Sequence, residues 1–152
     1  MLLKTGDLFK SNDDFILVTA NAYINKNKAL VMGRGAARQL KDMQPKFPYL
    51  AADAIKWGQY PLDFQTQRPV YGVILISRYG IFQVKYNWWE DASLDLIKFS
   101  TDELLSLAVS GFLGDRTVSM NYPGIGNGRL KEQDVYPIIS KLPDCISVYK
   151  FA

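Results

Sequence analysis

Histidine is absent from all 152 residues, and that absence removes whole classes of chemistry. Without imidazole, no Ser-His-Asp or Cys-His nucleophile system can be assembled, and no histidine-based zinc or iron site can form. No metal is expected. Cysteine occurs once, as Cys145, so no internal disulfide can exist and no oxidising compartment is implied. Long apolar runs are also missing, since none reaches the ~20 residues that span a bilayer. The opening Met1-Leu2-Leu3-Lys4-Thr5-Gly6-Asp7 has neither a basic region followed by an apolar stretch nor a small-residue cleavage site. A cytoplasmic protein without membrane contact is expected. Strong charge of one sign is lacking too: the formal net charge is +3, and the 18 basic residues are spread along the chain. That balance suits a modestly positive cleft for an anion better than a surface that tracks nucleic-acid phosphates.

What is present is an ordinary globular composition, 48% hydrophobic and 22% charged, at a length where one core is the norm. A single domain over residues 1–152 is expected, with a monomer as the default. Leu2–Lys4 and the continuous apolar run Phe15–Thr19 predict strands. Ala36, Ala37, Leu40 and Met43 recur at helical spacing, and Tyr49–Trp57 predicts a second short helix stopped by Gly58. Leu62–Gln65, Val70–Ser77 and Ile81–Tyr86 read as strands able to pair as a meander. Asp91–Leu107 carries the longest helical signal, with Leu94, Ile97, Leu104, Leu105 and Ala108 on one stripe and Ser93 or Asp91 as the cap. Thr117–Asn121 and Cys145–Phe151 predict strands on either side of a helix at Lys131–Leu142. Alternating strands and helices with short connections define an α/β fold, in three layers with a mixed, mostly parallel central sheet.

Two loops lie between a predicted strand and a predicted helix, where an α/β sheet places ligands and helix starts offer free N–H groups to phosphate. The first ends in Met32-Gly33-Arg34-Gly35-Ala36. The second runs Pro123-Gly124-Ile125-Gly126-Asn127-Gly128-Arg129. Glycine at a turn has a purely steric explanation, but the same strand, loop and helix arrangement twice in one chain lets both loops serve one ligand. Neither loop is a Walker motif or a dinucleotide fingerprint, because Gly-x-x-x-x-Gly-Lys-Ser/Thr is missing and Gly33-Arg34-Gly35 has no third glycine three residues on. A nucleoside triphosphatase is not expected.

Taken together, Thr5-Gly6-Asp7-Leu8-Phe9, Leu17-Val18-Thr19-Ala20-Asn21, Val31-Met32-Gly33-Arg34-Gly35-Ala36-Ala37 and Pro123 to Gly128 resemble the macro domain family in order and spacing over nearly the whole chain. The likeness is strongest to the branch of bacterial and phage stand-alone proteins that contains the terminal ADP-ribose glycohydrolase and the antitoxins that remove ADP-ribose from DNA. The resemblance implies an ADP-ribose-type ligand and no further cofactor. It gives Asp7, between Gly6 and Leu8, the adenine amino group, and puts Asn21 beside the distal ribose. Gly33, Arg34, Gly35 and Ala36 would wrap the diphosphate and the distal ribose through backbone donors, covered from the other side by Gly124, Ile125, Gly126, Asn127 and Gly128, and Gly6, Leu8, Thr19, Ala20, Met32 and Pro123 join them among the ligand-binding residues. Arg34 and Arg129 would add charge-assisted contacts.

In that branch a lysine at the end of the central strand attacks the opened ribose, and an acid follows the second loop. Here the matching strand end reads Ile76-Ser77-Arg78, and Gly128 runs straight into Arg129-Leu130. Arginine stays protonated and cannot form a Schiff base. Asn21 and Arg78 are then the catalytic candidates, with Asn21 and loop backbone positioning a water, while Lys85, Glu132 and Asp134 lie further along the chain. Three functions fit these residues. One is an enzyme that releases ADP-ribose from protein or nucleic acid, or a phosphate from ADP-ribose 1''-phosphate. Another is a module that binds such a nucleotide without turnover. The third uses Tyr79, Phe82, Tyr86, Trp88 and Trp89 as a stacking surface for single-stranded nucleic acid.

Overall fold

The structure is a computed structural model describing residues 1–58, 60–64 and 67–151. Six strands form one sheet in the order β1-β6-β5-β2-β4-β3. The strands are β1 (Leu2–Thr5), β2 (Phe15–Ala20), β3 (Val73–Ile76), β4 (Tyr79–Gln83), β5 (Val118–Asn121) and β6 (Ile146–Lys150). All neighbouring pairs are parallel except β3 with β4, which form an antiparallel hairpin at the sheet edge. The helices are α1 (Gly35–Met43), α2 (Phe47–Trp57), α3 (Leu94–Val109) and α4 (Glu132–Ile139).

Side-chain alternation along β2 assigns the two faces of the sheet. Ile16 and Val18 pack with Ala36 and Leu40 of α1 and Phe47, Ala51 and Ile55 of α2. Phe15 and Leu17 pack with Ile97 and Leu104 of α3 and Val135 and Ile139 of α4. Two apolar cores thus sandwich the sheet, which gives the three-layer α/β/α architecture with a mostly parallel mixed sheet. Buried on both faces, β2 carries no polar residue before Thr19, as parallel interior strands require. No helix among the described residues is long and apolar enough to cross a membrane.

Several expected boundaries shift for identifiable reasons. The meander reduces to the β3–β4 hairpin. Leu62 makes only an isolated bridge to Pro69, and Gln65 lies outside the described residues. The hairpin turns at Ser77, whose φ of 57° is left-handed, so β4 begins two residues earlier than alternation suggests. Helix α2 starts at Phe47 because Pro48 is tolerated in a first turn. In α3, Ser93 caps Leu96 N at 3.3 Å, but Leu94 is exposed and the buried face includes Ser100 and Thr101 between Ile97 and Leu104. Ser100 replaces water by donating to Gln83 O at 2.7 Å, which lets a hydroxyl occupy a core position.

Candidate ligand site at the carboxyl ends of the strands

The central strands β2, β4, β5 and β6 run the same way, so the segments leaving their carboxyl ends gather on one side of the sheet. There they enclose a cavity of about 900 Å³, within the usual range for small-ligand sites. Its floor is Thr19 to Asn21 and Asn121. One wall is Val31 to Ala37 and the other Gly124 to Arg129. The two glycine loops therefore face each other across a single space.

The first wall is held by Asn21, which is almost fully buried. Its Nδ2 donates to Val31 O at 3.0 Å and its Oδ1 accepts from Tyr23 N at 2.9 Å. The side chain therefore staples both ends of the loop from 21 to 31. Its own carbonyl accepts from the buried Tyr71 hydroxyl at 2.7 Å. Past the loop, Arg34 is extended and Gly35, with φ +60°, begins α1, so the free N–H groups of the first helical turn open onto the cavity.

The glycines of the second loop answer to different demands. A Cβ on Gly124 would lie 2.6 Å from Ile97 Cδ1, and one on Gly128 would lie 2.8 Å from Ala92 Cβ. Those two permit close packing. Gly126, at φ +67°, has nothing within 4 Å of a built Cβ, and neither has Gly33. These two leave main chain bare on opposite walls, which is what a bulky anion needs in order to reach backbone donors.

Charge in the cavity is mixed and net positive: Arg34, Lys85, Arg129 and Lys150 against Glu90 and Glu132. Lys150 and Glu132 pair at 2.7 Å, and Arg129 reaches Asp91 outside the cavity at 3.6 Å. Lys85 donates to Trp88 O and Glu90 O, both at 3.1 Å. Burial lowers its pKa, and the nearby Arg34 and Arg129 charges add to the effect against the opposing pull of Asp91 and Glu90. Half-buried beside two guanidinium groups, the amine is easier to deprotonate than a surface lysine. Burial also pushes the Tyr122 phenol up to about 12, helped by the Glu132 charge, so it stays a neutral donor to Glu132 O at 3.1 Å.

No family model and no curated protein matches the chain. Solved structures do. The macrodomain of Mycobacterium tuberculosis DarG matches with a TM-score of 0.69 and 23% identity, over 97% of each chain. That of Thermus aquaticus DarG matches with a TM-score of 0.67 and 20% identity, over 99% of this chain and 98% of the other. The chain has the macrodomain fold. Thermosipho africanus DarTG, solved in complex with ADP-ribose, matches at a TM-score of 0.71 and 18% identity; the match takes in 99% of this chain but 42% of that longer one.

Within the macrodomain fold the expected site residues separate into three groups. Thr19, Ala20, Asn21, Met32, Gly33, Arg34, Gly35, Ala36, Gly124, Ile125, Gly126, Asn127, Gly128 and Arg129 line the cavity, while Pro123 does not. Gly6 and Leu8 line a small adjoining hollow that shares Ala36, Asn121, Tyr149, Lys150 and Phe151 with the cavity or its rim. Between them, Asp7 caps the following 3-10 turn by accepting from Phe9 N at 2.9 Å.

Arg78 stands apart and corrects the expectation placed on it. Register pairs Ile16 with Tyr79 and Ala20 with Gln83, so Arg78 precedes β4 at the end of the sheet opposite to Asn21. There its guanidinium donates to Ser11 O at 3.0 Å and Asp13 O at 3.4 Å. The chain reverses at Ser77, so Ile76-Ser77-Arg78 is a hairpin turn rather than the exit of a central strand. The true exit is Gln83-Val84-Lys85, which brings Lys85 into the cavity. Asn121, Tyr149 and Phe151 also line it, and the sequence alone does not single them out. Their signal is positional, since each lies at or just past the carboxyl-terminal part of a parallel strand, and no side-chain chemistry sets them apart.

Proposed function

We propose that the cavity binds an ADP-ribose-type nucleotide and that Lys85 makes the chain an ADP-ribosyl hydrolase. The observation that carries the reading is the convergence of Gly33–Ala36 and Gly124–Gly128 on one cavity, with bare main chain at Gly33 and Gly126. A diphosphate between these walls meets the N–H groups at the start of α1 and a positive surround. The ADP-ribose bound in the Thermosipho africanus DarTG complex is the ligand class that this arrangement suits. The adenine would lie toward Gly6, Leu8, Tyr149 and Phe151, and the distal ribose toward Asn21 and Lys85.

Lys85 supplies the chemistry that Arg78 cannot. The C1''–O4'' bond opens as O4'' takes a proton from water, the neutral amine adds to C1'', and a proton of that amine passes to the carried group as its bond to C1'' breaks, which leaves the imine. Water then hydrolyses the imine, which releases ADP-ribose and regenerates the amine. Burial away from water favours the neutral amine, and the charges of Arg34 and Arg129 add to this. Asn21 acts by fixing the loop rather than by contributing a free amide, because both ends of its side chain are engaged by backbone.

Calorimetry with ADP-ribose tests the binding part, and incubation with ADP-ribosylated protein and ADP-ribosylated DNA tests the chemical part. Multiple turnovers per protein molecule are expected. Binding without turnover would leave the chain a reader of the nucleotide, and no binding at millimolar ADP-ribose would overturn the reading.

A further inference from the structure

Helix α2 turns toward solvent a face that the sheet does not use. Phe47, Ala51, Ala52 and Ile55 are buried, while Tyr49, Leu50, Asp53, Lys56 and Trp57 are all exposed. At the helical repeat those five side chains fall within an arc of about 120°, so they form one stripe along the helix. Trp57 is 72% exposed, and Tyr49 and Leu50 are half exposed. In the loop that follows, Phe64 is 92% exposed. A stripe of large apolar side chains left in water marks a surface that something covers.

The charges on this stripe are opposite in sign and are not joined to each other. Asp53 and Lys56 stand three residues apart, a spacing at which a helix can form its own ion pair. Arg38 and Asp42 of α1 do so at 4.0 Å, four residues apart. Lys56 instead lies over the Trp57 ring, 5.2 Å from its centroid. Asp53 has neither an ion pair nor a hydrogen bond among the described residues.

A contact between two copies of one chain about a two-fold axis must be self-complementary, with one residue meeting a second and that second meeting the first. The α2 stripe satisfies this condition. When two such helices pack antiparallel, with the axis through the middle of the stripe, Asp53 of each copy comes alongside Lys56 of the other. The Tyr49 and Leu50 end of one helix then covers the Trp57 end of its mate.

We propose that the exposed stripe of α2 is the interface of a homodimer, packed antiparallel on the same stripe of a second copy. The apolar side chains supply the affinity. The reciprocal Asp53 and Lys56 pairs set the register, because exposed ion pairs add little binding whereas like charges placed face to face oppose it strongly. None of the five residues lines the cavity, so the inference stands independently of the ADP-ribose reading.

Sedimentation velocity on the whole chain, from micromolar to millimolar concentration, tests this dimer. The mass should rise from 17.2 kDa toward twice that value. Asp53→Lys sets lysine against lysine across the axis, and Lys56→Asp sets aspartate against aspartate, so each variant alone should stay monomeric. Mixing the two in equal amounts should restore the dimer, since every pair across the axis is then of opposite sign. Trp57→Ala should weaken association by at least about 10-fold, as truncation of a central interface aromatic does. All three positions are exposed, and circular dichroism would show that the variants keep the fold. A wild-type chain that remains monomeric at millimolar concentration would overturn the second copy and leave the stripe to a different protein. A dimer that survives both charge reversals would place the interface elsewhere and overturn the proposal. Two monomeric variants that fail to combine would overturn the antiparallel pairing.

Discussion

The Tyr71 hydroxyl donates to the main-chain carbonyl of Asn21 at 2.7 Å, across 50 residues of sequence and inside the core. Tyr71 is fixed in turn by Gln83, whose Oε1 accepts from Tyr71 N at 2.8 Å and whose Nε2 donates to Pro69 O at 3.0 Å. The Gln83 carbonyl is held by Ser100 of α3. A line of buried hydrogen bonds therefore runs from α3, through the end of β4, to the loop that forms one wall of the cavity. Tyr71→Phe should leave the Asn21 carbonyl without its donor and cost about 1–3 kcal/mol of stability. Affinity for ADP-ribose should fall as well, because the loop that Asn21 staples is less well fixed. Chemical denaturation and calorimetry on the same variant would check both; an unchanged affinity would show that the loop holds its shape without this bond.

This line also shows what the sequence can and cannot disclose. The strands that matter most, β2, β5 and β6, announce themselves as short apolar runs because both faces are buried, and the glycine loops follow from their position between strand and helix. Gln83, Ser100 and Tyr71 are illegible because a polar residue in the core signals nothing until its partner is known, and each partner lies far away in sequence. Arg78 is misplaced for a related reason. A hairpin turn made of Ser77 and Arg78 carries neither the glycine nor the asparagine that left-handed backbone usually demands. Val70–Ser77 and Ile81–Tyr86 read as two strands of a meander, but the sequence does not say which of them pairs with β2, and it is the second that does. Taking the first strand's end for the central one moves the expected catalytic position by seven residues, from Lys85 to Arg78.

Glycine substitutions in the second loop should divide according to what surrounds them. Gly124→Ala drives a methyl against Ile97 and Leu130, so it should destabilise the fold by about 1–3 kcal/mol through overpacking alone, with left-handed strain in addition. Gly126→Glu meets open space and should cost only the ~1–2 kcal/mol of the left-handed backbone. Its carboxylate would nevertheless stand where the diphosphate is expected. Affinity for ADP-ribose should drop by at least ~100-fold, since juxtaposed like charges cost several kcal/mol. Thermal melts paired with calorimetry would check this contrast, and a Gly126→Glu variant that melts near wild type yet still binds would refute the placement of the diphosphate.

Asp7 has two roles open to it, and one substitution separates them. As a cap it accepts from Phe9 N; as a ligand group its second oxygen would accept from the adenine amino group. Asp7→Asn retains a carbonyl oxygen for the cap but turns an amide donor toward the base. Stability should therefore stay close to wild type while ADP-ribose affinity falls by about 5-fold, the worth of one hydrogen bond. Asp7→Ala should lose both. Equal affinities for the wild type and Asp7→Asn would mean that Asp7 serves the 3-10 turn alone.

Lys85 makes the chemical proposal testable through pH. Its pKa is lowered by burial and by Arg34 and Arg129, and only the neutral amine is a nucleophile. Single-turnover release of ADP-ribose should therefore rise with pH and level off once pH passes the Lys85 pKa, at a point below the ordinary lysine value of about 10.4. Lys85→Arg preserves the positive charge that favours the diphosphate but cannot form the imine. It should keep ADP-ribose affinity and lose the rate by at least about 100-fold, the low end of what a positioned reactive group contributes. Borohydride added during turnover should reduce the imine and leave a covalent adduct on Lys85, detectable by mass spectrometry and missing from Lys85→Arg. A Lys85→Arg variant that turns over at the wild-type rate, or turnover without any trapped adduct, would move the chemistry away from this amine.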